Sequence, residues 1–354
     1  LAFLMFRKCV NLYQGKTIGN QIGNKSLLPT YYYQPIAYLL FLISKMNRGW
    51  SFLQNYDIRL LLPNLSSQSC VKRCYTPNFL CTFAKTLRTY NHLFMKKYVN
   101  DLRVCAVEIP RQGYVLLKLT PTKGLLPEIL PGQFVEVQVK NSPSTFLRRP
   151  ISVNFVDYEA NQLWLLIHVV GEGTRHLAEC KIGDTVNCMY PLGNGFTIPE
   201  SDGRKILLVG GGVGTAPLLY FGKMLREAGC EPVFLLGGRT GDDLMQLDLF
   251  EQYGRVYVTT EDGSKGERGF VTNHSILTKE QFDGVSTCGP KPMMVAVARW
   301  ATSVGTPCEA SLENLMACGL GACLCCVEKM ADGHNLCVCK EGPVFNINKL
   351  SWLS

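Results

Sequence analysis

The chain has 354 residues, enough for two or three domains that each bury a core. Hydrophobic residues make up 47% of the sequence, yet no apolar run approaches the roughly 18 residues of a membrane-spanning helix, so we expect no membrane contact. The net charge of +8 resides in residues 1–94, where eleven lysines and arginines stand against one acid, Asp57. The remainder is near neutral, so we expect no nucleic-acid partner for it.

Residues 1–94 contain no glutamate and show no sustained helical or strand periodicity. Such a segment is typical of a transit peptide, an anion-binding surface or an untranslated upstream region. Because Met95 opens an ordinary alternating pattern, we predict that it is the true start and that residues 1–94 are a basic extension outside the functional protein. The alternative is a genuine basic segment, which would make the chain a redox-sensing nucleic-acid-binding protein.

Short strands separated by Pro and Gly predict an antiparallel barrel over residues 95–201. The predicted strands are 98–109, 114–120, 133–139, 151–156 and 162–169. In Leu147-Arg-Arg-Pro-Ile-Ser152, an Arg and a Ser three residues apart can bind a phosphate, although a surface arginine pair is the commoner explanation. Val170-Gly-Glu-Gly-Thr174 precedes a short predicted helix and could hold a pyrophosphate, but a simple turn explains it equally well.

Alternating strands and helices predict a parallel nucleotide-binding sheet over residues 202–304. The glycines of Val209-Gly-Gly-Gly-Val-Gly-Thr-Ala-Pro217 lie between a predicted strand and a helix over 216–228. This is the position of a phosphate-binding loop, without the G-x-G-x-x-G spacing. Thr287-Cys-Gly-Pro-Lys-Pro-Met-Met294 follows another strand. Ligands of open α/β sheets bind at such strand ends.

The segment 305–354 is predicted to be a small C-terminal domain around a metal cluster. Cys318, Cys323, Cys326 and Cys339 are spaced C-x4-C-x2-C-x12-C, the ligand arrangement of a plant-type [2Fe-2S] cluster. Thiolates suit iron, and the small residues between them let the loop bend. A zinc ribbon would have two C-x2-C knuckles, and this segment has one.

The spacing of the cysteines alone does not identify the fourth cluster ligand. Asp332-Gly333 predicts a hairpin turn, and residues two apart on the returning strand face the same way. Cys337 and Cys339 are therefore both candidates.

In combination, these motifs resemble those of the ferredoxin-NADP reductase superfamily. With the cysteine segment, residues 95–350 are similar to the electron-transfer subunits of class 1B dihydroorotate dehydrogenases. The resemblance implies a multidomain α+β fold with an antiparallel β-barrel FAD domain, an α/β parallel-sheet NAD domain and a small [2Fe-2S] domain. It implies a cytoplasmic heterotetramer with two FMN-containing catalytic subunits. Electrons from dihydroorotate would pass through the cluster and FAD to NAD+, in pyrimidine (UMP) biosynthesis.

The same resemblance implies roles for individual residues. The FAD site would be formed by Arg149, Pro150, Ile151, Ser152, Gly173 and Thr174, where the family commonly has Tyr in place of Ile151. The nicotinamide nucleotide would be approached by Gly211, Gly212, Gly214 and Thr215. Cys288 would be catalytic, near the hydride-transfer position. The cluster ligands would be Cys318, Cys323, Cys326 and Cys339.

A second enzyme function has the same architecture. An iron-sulfur flavoprotein reductase that serves a sulfide, sulfite or hydrogenase partner would share these motifs, because fold does not fix function. Cys318 favours the dihydroorotate dehydrogenase family, since a related ferredoxin-NADP reductase subunit has Asp as its first cluster ligand.

Overall fold

The structure is a computed structural model that describes residues 96–140, 142–200 and 202–353. The predicted start at Met95 and the basic extension 1–94 lie outside the described residues. The described part contains two seven-stranded sheets and a two-stranded hairpin. None of its helices is both long enough and apolar enough to cross a membrane.

The first sheet is antiparallel, as predicted, and its strands follow the order β4-β3-β7-β1-β2-β6-β5. Its strands are β1 Tyr98–Glu108, β2 Tyr114–Pro121, β3 Phe134–Val137, β4 Arg149–Ser152, β5 Phe155–Asp157, β6 Gln162–His168 and β7 Thr185–Leu192. Helix α1, Glu172–Ala178, connects β6 to β7.

The prediction of one continuous strand over residues 151–156 was wrong, because β4 and β5 are separate strands at opposite edges of this sheet. Two residues connect them. The Val153 N–H donates to the Gln133 carbonyl beside β3, and the next N–H, of Asn154, donates to Trp164 of β6. Two residues span only about 7 Å, so the sheet must curl until its edges nearly meet. This curvature produces the barrel.

The second sheet is parallel apart from its last strand, and helices pack against it. Its parallel strands are β8 Lys205–Gly211, β9 Glu231–Gly238, β10 Arg255–Thr260, β11 Glu267–Arg268, β12 Gly284–Cys288 and β13 Cys308–Ser311. The intervening helices are α2 Ala216–Glu227, α3 Leu247–Glu251, α4 Ile276–Lys279 and α5 Lys291–Ser303.

The cysteine-rich segment continues from this sheet and returns to it. Strands β14 Val327–Lys329 and β15 Asn335–Cys337 form the predicted hairpin, with Gly333 at φ +84° in its turn. Helix α6, Val338–Glu341, follows, and β16, Val344–Asn346, then pairs antiparallel with β13. The predicted domain boundaries stay predictions, but both ends of the 305–354 segment belong to the second sheet.

Side chains join the barrel to the carboxyl edge of the parallel sheet. The Asn154 amide donates to the carbonyl of Ala216, which begins α2. The Tyr220 hydroxyl donates to the Ile129 carbonyl at 3.2 Å. Since ligands of parallel sheets bind at the carboxyl ends of their strands, this packing brings that edge to the barrel.

Candidate functional site

The two arginines of the first motif have different surroundings. Arg148 donates to the Asn187 carbonyl at 3.0 Å and to its side-chain oxygen at 2.6 Å, and also to the Glu136 carbonyl at 3.3 Å. Its guanidinium therefore ties β3 to β7. Arg149, in contrast, extends over the first turn of α1, where the Nε atom lies 2.6 Å from the place a β-carbon on Gly173 would occupy.

The turn at Gly173 is held by its own threonine. The Thr174 hydroxyl accepts from the N–H groups of Val170 and Gly171, both at 3.0 Å, so it shapes the turn from inside. Gly173 leaves room for the Arg149 side chain. The structure thus brings together the predicted FAD residues Arg149, Gly173 and Thr174, from motifs about twenty residues apart.

The remaining predicted FAD residues lie on β4, an edge strand of the barrel sheet. Pro150, which lacks an N–H group, is tolerated there because an edge strand leaves half of its backbone groups unpaired. Ile151 is half-buried and packs against the barrel core. Ser152 is half-buried at the end of the strand.

The predicted nicotinamide residues form the connection between β8 and α2. A β-carbon on Gly214 would collide with the α-carbon of Gly289, and one on Gly211 would stand 2.6 Å from the Met293 sulfur. Gly214 is thus required by the chain's own packing, because its neighbour is backbone, whereas the Met293 side chain at Gly211 can move. Gly212 differs: its φ is +57° and a β-carbon would meet no atom within 4 Å, so its surface is open to a ligand. Thr215 donates its hydroxyl to the Gly212 carbonyl.

Cys288 lies at the carboxyl end of β12, beside Gly210 of β8 and Ser311 of β13. Burial, with a smaller contribution from the Glu313 carboxylate, raises the pKa of this thiol to about 12. It is therefore neutral at physiological pH and is no nucleophile. The Glu313 carboxylate also acts on His168 of the barrel, where it opposes the lowering of that pKa by burial. Sequence analysis did not identify Glu313, since no motif contains it.

The four predicted cluster cysteines lie as two pairs. Cys318 is a hydrogen-bond neighbour of Cys323, and Cys326 of Cys339. The second pair is 2% and 1% exposed, whereas Cys323 is exposed and Cys318 half-buried. Among the described residues, no three His, Cys, Asp or Glu side chains converge on a single metal ion. Two pairs, however, fit a cluster whose two irons each take two thiolates.

Backbone N–H groups point at these sulfurs. Cys318 accepts from Leu320 and Cys323 at 3.4 and 3.5 Å, and Cys326 accepts from Cys339 at 3.4 Å. Although burial acts to raise the pKa of Cys318, these donors outweigh it and lower that pKa to about 6. Such donors stabilise thiolates, the form that binds metal. The site therefore fits a [2Fe-2S] cluster.

Cys337 and Cys339 contact different backbone groups of Gly321. Gly321 donates its N–H to the Cys339 sulfur at 3.1 Å, whereas its carbonyl accepts from the Cys337 thiol at 3.8 Å. The accepting position of the Cys339 sulfur favours it as the ligand over the donating Cys337 thiol, although burial, together with the neighbouring Cys326, raises the pKa of the Cys339 thiol to about 12. Cys339 lies in α6, so the prediction that both cysteines share one face of the returning strand was wrong.

Glu136 of β3 is a second residue that sequence analysis missed. Its side chain is 0% exposed and lies against Gly319 of the cluster loop. A lone Glu in a short apolar strand gives no signal that it approaches a segment about 180 residues away.

The chain is similar to proteins of one known family. Residues 313–351 match the model of the iron-sulfur cluster binding domain of dihydroorotate dehydrogenase B. The "Dihydroorotate dehydrogenase B (NAD(+)), electron transfer subunit" of Fusobacterium nucleatum is 38% identical over 224 residues, covering 61% of this chain and 84% of that protein. The protein of the same name from Caldanaerobacter subterraneus is 41% identical over 218 residues, with the same coverage. The chain belongs to this family of electron transfer subunits.

A solved structure extends the family relation to the whole architecture. An NADH-dependent reduced ferredoxin-NADP oxidoreductase, studied for flavin-based electron bifurcation, superposes with a TM-score of 0.64 at 30% identity. The match covers 72% of this chain and 90% of that one. The predicted multidomain α+β fold is thereby confirmed.

Proposed function

We propose that this chain is the electron-transfer subunit of an NAD-dependent dihydroorotate dehydrogenase, acting in pyrimidine biosynthesis. It would carry FAD and a [2Fe-2S] cluster, and exchange electrons with NAD+ and an FMN-containing catalytic subunit. The observation that carries the proposal is the arrangement of four cysteine sulfurs in two pairs. Three of these sulfurs accept hydrogen bonds from backbone N–H groups. When bound, the cluster supplies one-electron transfer and FAD supplies hydride exchange with the nicotinamide.

The chain's own residues would hold these groups. We assign the iron ligands to Cys318, Cys323, Cys326 and Cys339. For FAD, Arg149 would bind the pyrophosphate over the turn of Gly173 and Thr174, with Pro150, Ile151 and Ser152 beside the flavin. Gly211, Gly212, Gly214 and Thr215 would shape the nicotinamide loop. Gly212 is the member of that loop with open space for a ligand.

Cys288 would lie near the hydride-transfer position because its motif packs against the proposed nicotinamide loop. Its carbonyl lies 2.6 Å from where a β-carbon on Gly214 would stand, so its motif packs directly on the nicotinamide loop. The neutral thiol would shape the pocket and exclude water without exchanging its own proton.

The partner would dock where the cluster loop is exposed. Leu315 and Leu324 are 85% and 62% exposed beside the more accessible cysteine pair, Cys318 and Cys323. Exposed apolar side chains that flank a functional site mark a protein interface. We propose a heterotetramer with two subunits of each kind. The free thiols of the described cysteines favour a reducing compartment, the cytoplasm.

The test is a reconstitution with and without the partner. The chain alone should oxidise NADH with an artificial acceptor and should fail with dihydroorotate. Adding the FMN-containing subunit should produce dihydroorotate-dependent NAD+ reduction, and Cys323→Ser should abolish that coupled rate while sparing much of the artificial-acceptor rate. Dihydroorotate oxidation by the chain alone, or no gain with the partner, would reject the proposal.

A reductase for another redox partner is the second candidate. The similarity to the NADH-dependent reduced ferredoxin-NADP oxidoreductase favours this second function, because the match covers 90% of that protein at 30% identity. This candidate predicts that a ferredoxin, rather than the FMN-containing subunit, accepts electrons from the NADH-reduced chain.

A further inference from the structure

Glu136 is a buried carboxyl group without a partner in the described part of the chain. Its side chain is 0% exposed, and neither Oε1 nor Oε2 has a hydrogen-bond partner among those residues. Leaving such a group unsatisfied costs about 1–3 kcal/mol. A buried polar group without a partner indicates a role for that group in the folded protein.

The carboxyl group is directed at the loop that carries the first cluster cysteine. A β-carbon on Gly319 would stand 2.9 Å from Glu136 Cγ and 3.3 Å from Oε1, and 3.2 Å from Leu192 Cδ1. Gly319, at φ +64°, lets the loop approach the carboxyl this closely. On the strand, Glu136 is paired with Pro150 of the proposed flavin strand. Glu136 therefore lies beside both the cluster loop and the proposed flavin strand.

The nearest arginine does not pair with this carboxyl group. Arg148 binds the backbone carbonyl of Glu136 and the side chain of Asn187 instead. Burial raises the pKa of Glu136 to about 7, while Arg148 and Arg149 lower it and Cys318 raises it further. A bound cluster with four thiolates adds negative charge nearby, which also favours the neutral acid.

We propose that the Glu136 carboxyl, in its protonated form, donates a hydrogen bond toward the [2Fe-2S] cluster and raises its reduction potential. The inference rests on the cluster site proposed above. A protonated carboxyl has an O–H donor to offer, and hydrogen bonds to cluster sulfurs help to set the potential of such clusters. Donation stabilises the reduced cluster more than the oxidised one, because reduction adds one negative charge to the cluster and makes its sulfurs better acceptors.

Two variants of similar length separate donation from packing. Glu136→Gln keeps an N–H donor, and Glu136→Met keeps the volume without one. The exposed Glu159→Gln is the control. Each loaded chain is equilibrated with a redox dye, and the reduced cluster is counted by its paramagnetic signal. Glu136→Met should lower the equilibrium constant for cluster reduction about tenfold, equivalent to 59 mV for one electron. Glu136→Gln and the control should stay within about threefold of wild type.

The thermal stability of the iron-free chain is a second measurement, and Glu136→Met should raise it while lowering the reduction potential of the loaded chain. Replacing an unsatisfied buried carboxyl by an apolar side chain of similar size removes its desolvation penalty. Iron-free Glu136→Met should therefore unfold at a higher temperature than iron-free wild type. A role in packing alone would not raise this stability while lowering the potential.

Several outcomes would overturn the inference. An unchanged potential in Glu136→Met, or equal shifts in the Gln and Met variants, would exclude donation. A tenfold easier reduction in Glu136→Gln would show that the native carboxyl is ionised. If Glu136→Met fails to load iron, the Gln variant still decides between donor and charge. A wild-type chain that binds no iron would reject the proposed function itself, whereas a loaded chain with an unresponsive potential rejects only this inference.

Discussion

The guanidinium of Arg149 lies directly over Gly173, with its Nε atom 2.6 Å from the position that a β-carbon on that glycine would occupy. The contact joins an edge strand of the barrel to the first turn of α1. Any side chain at residue 173 would displace the arginine that we assign to the FAD pyrophosphate.

We predict that Gly173→Ala weakens FAD binding by at least about tenfold, because a displaced arginine loses a charge-assisted hydrogen bond worth about 1.5–3 kcal/mol. Titration of the flavin-free chain with FAD measures this. Gly171→Ala is the matched control, since a β-carbon there meets nothing within 4 Å and φ is −147°. Equal affinities in the two variants would contradict the assignment.

The two arginines of the motif should give opposite phenotypes. Arg149→Met should weaken FAD binding and leave the melting temperature of the flavin-free chain nearly unchanged. Arg148→Met should lower that melting temperature by several degrees, because it removes hydrogen bonds that tie β3 to β7. Thermal unfolding with and without FAD measures both effects. A loss of FAD affinity confined to Arg148→Met would reverse the assignment.

The fourth cluster ligand can be tested directly. Cys339→Ser should lose most of the bound iron, whereas Cys337→Ser should retain about two irons per chain, because serine still offers a donor to the Gly321 carbonyl. Iron and sulfide analysis with the visible spectrum measures the loading. Equal loss in both variants, or loss with Cys337→Ser alone, would show that the ligand is misassigned. Zinc in place of iron would reject the cluster.

The Cys288 thiol should stay protonated across the physiological pH range. Burial raises its pKa to about 12, so the neutral form persists until the pH nears that value. Alkylation of Cys288, followed by peptide mass spectrometry, should therefore remain far slower than that of an accessible thiol between about pH 7 and pH 9, and its rate should not level off within that range. The exposed Cys325 should react faster, because the reagent can reach its sulfur. Rapid Cys288 alkylation at about pH 8 would contradict this environment.

Local patterns in the sequence were enough to predict most of the secondary-structure elements and the binding motifs. Residue spacing predicted the cluster cysteines, and Asp332-Gly333 predicted the hairpin that β14 and β15 form. Short strand-like segments separated by Pro and Gly predicted β1, β2, β3 and β6 of the barrel, and the alternation of apolar strands with helices predicted the parallel sheet. These features depend on neighbours within a few residues, where backbone geometry alone sets which side chains share a face.

Tertiary structure decided the features that depend on distant segments. The break between β4 and β5 follows from barrel closure. The distinction between Cys337 and Cys339 depends on which side of Gly321 each sulfur meets, and that loop lies 16 or more residues earlier. Glu136 shows the same limit, since its burial against Gly319 arises only when the cluster loop packs on the barrel. Hydrogen-bond direction and desolvation are set by atoms in contact, and sequence separation carries no information on such contacts.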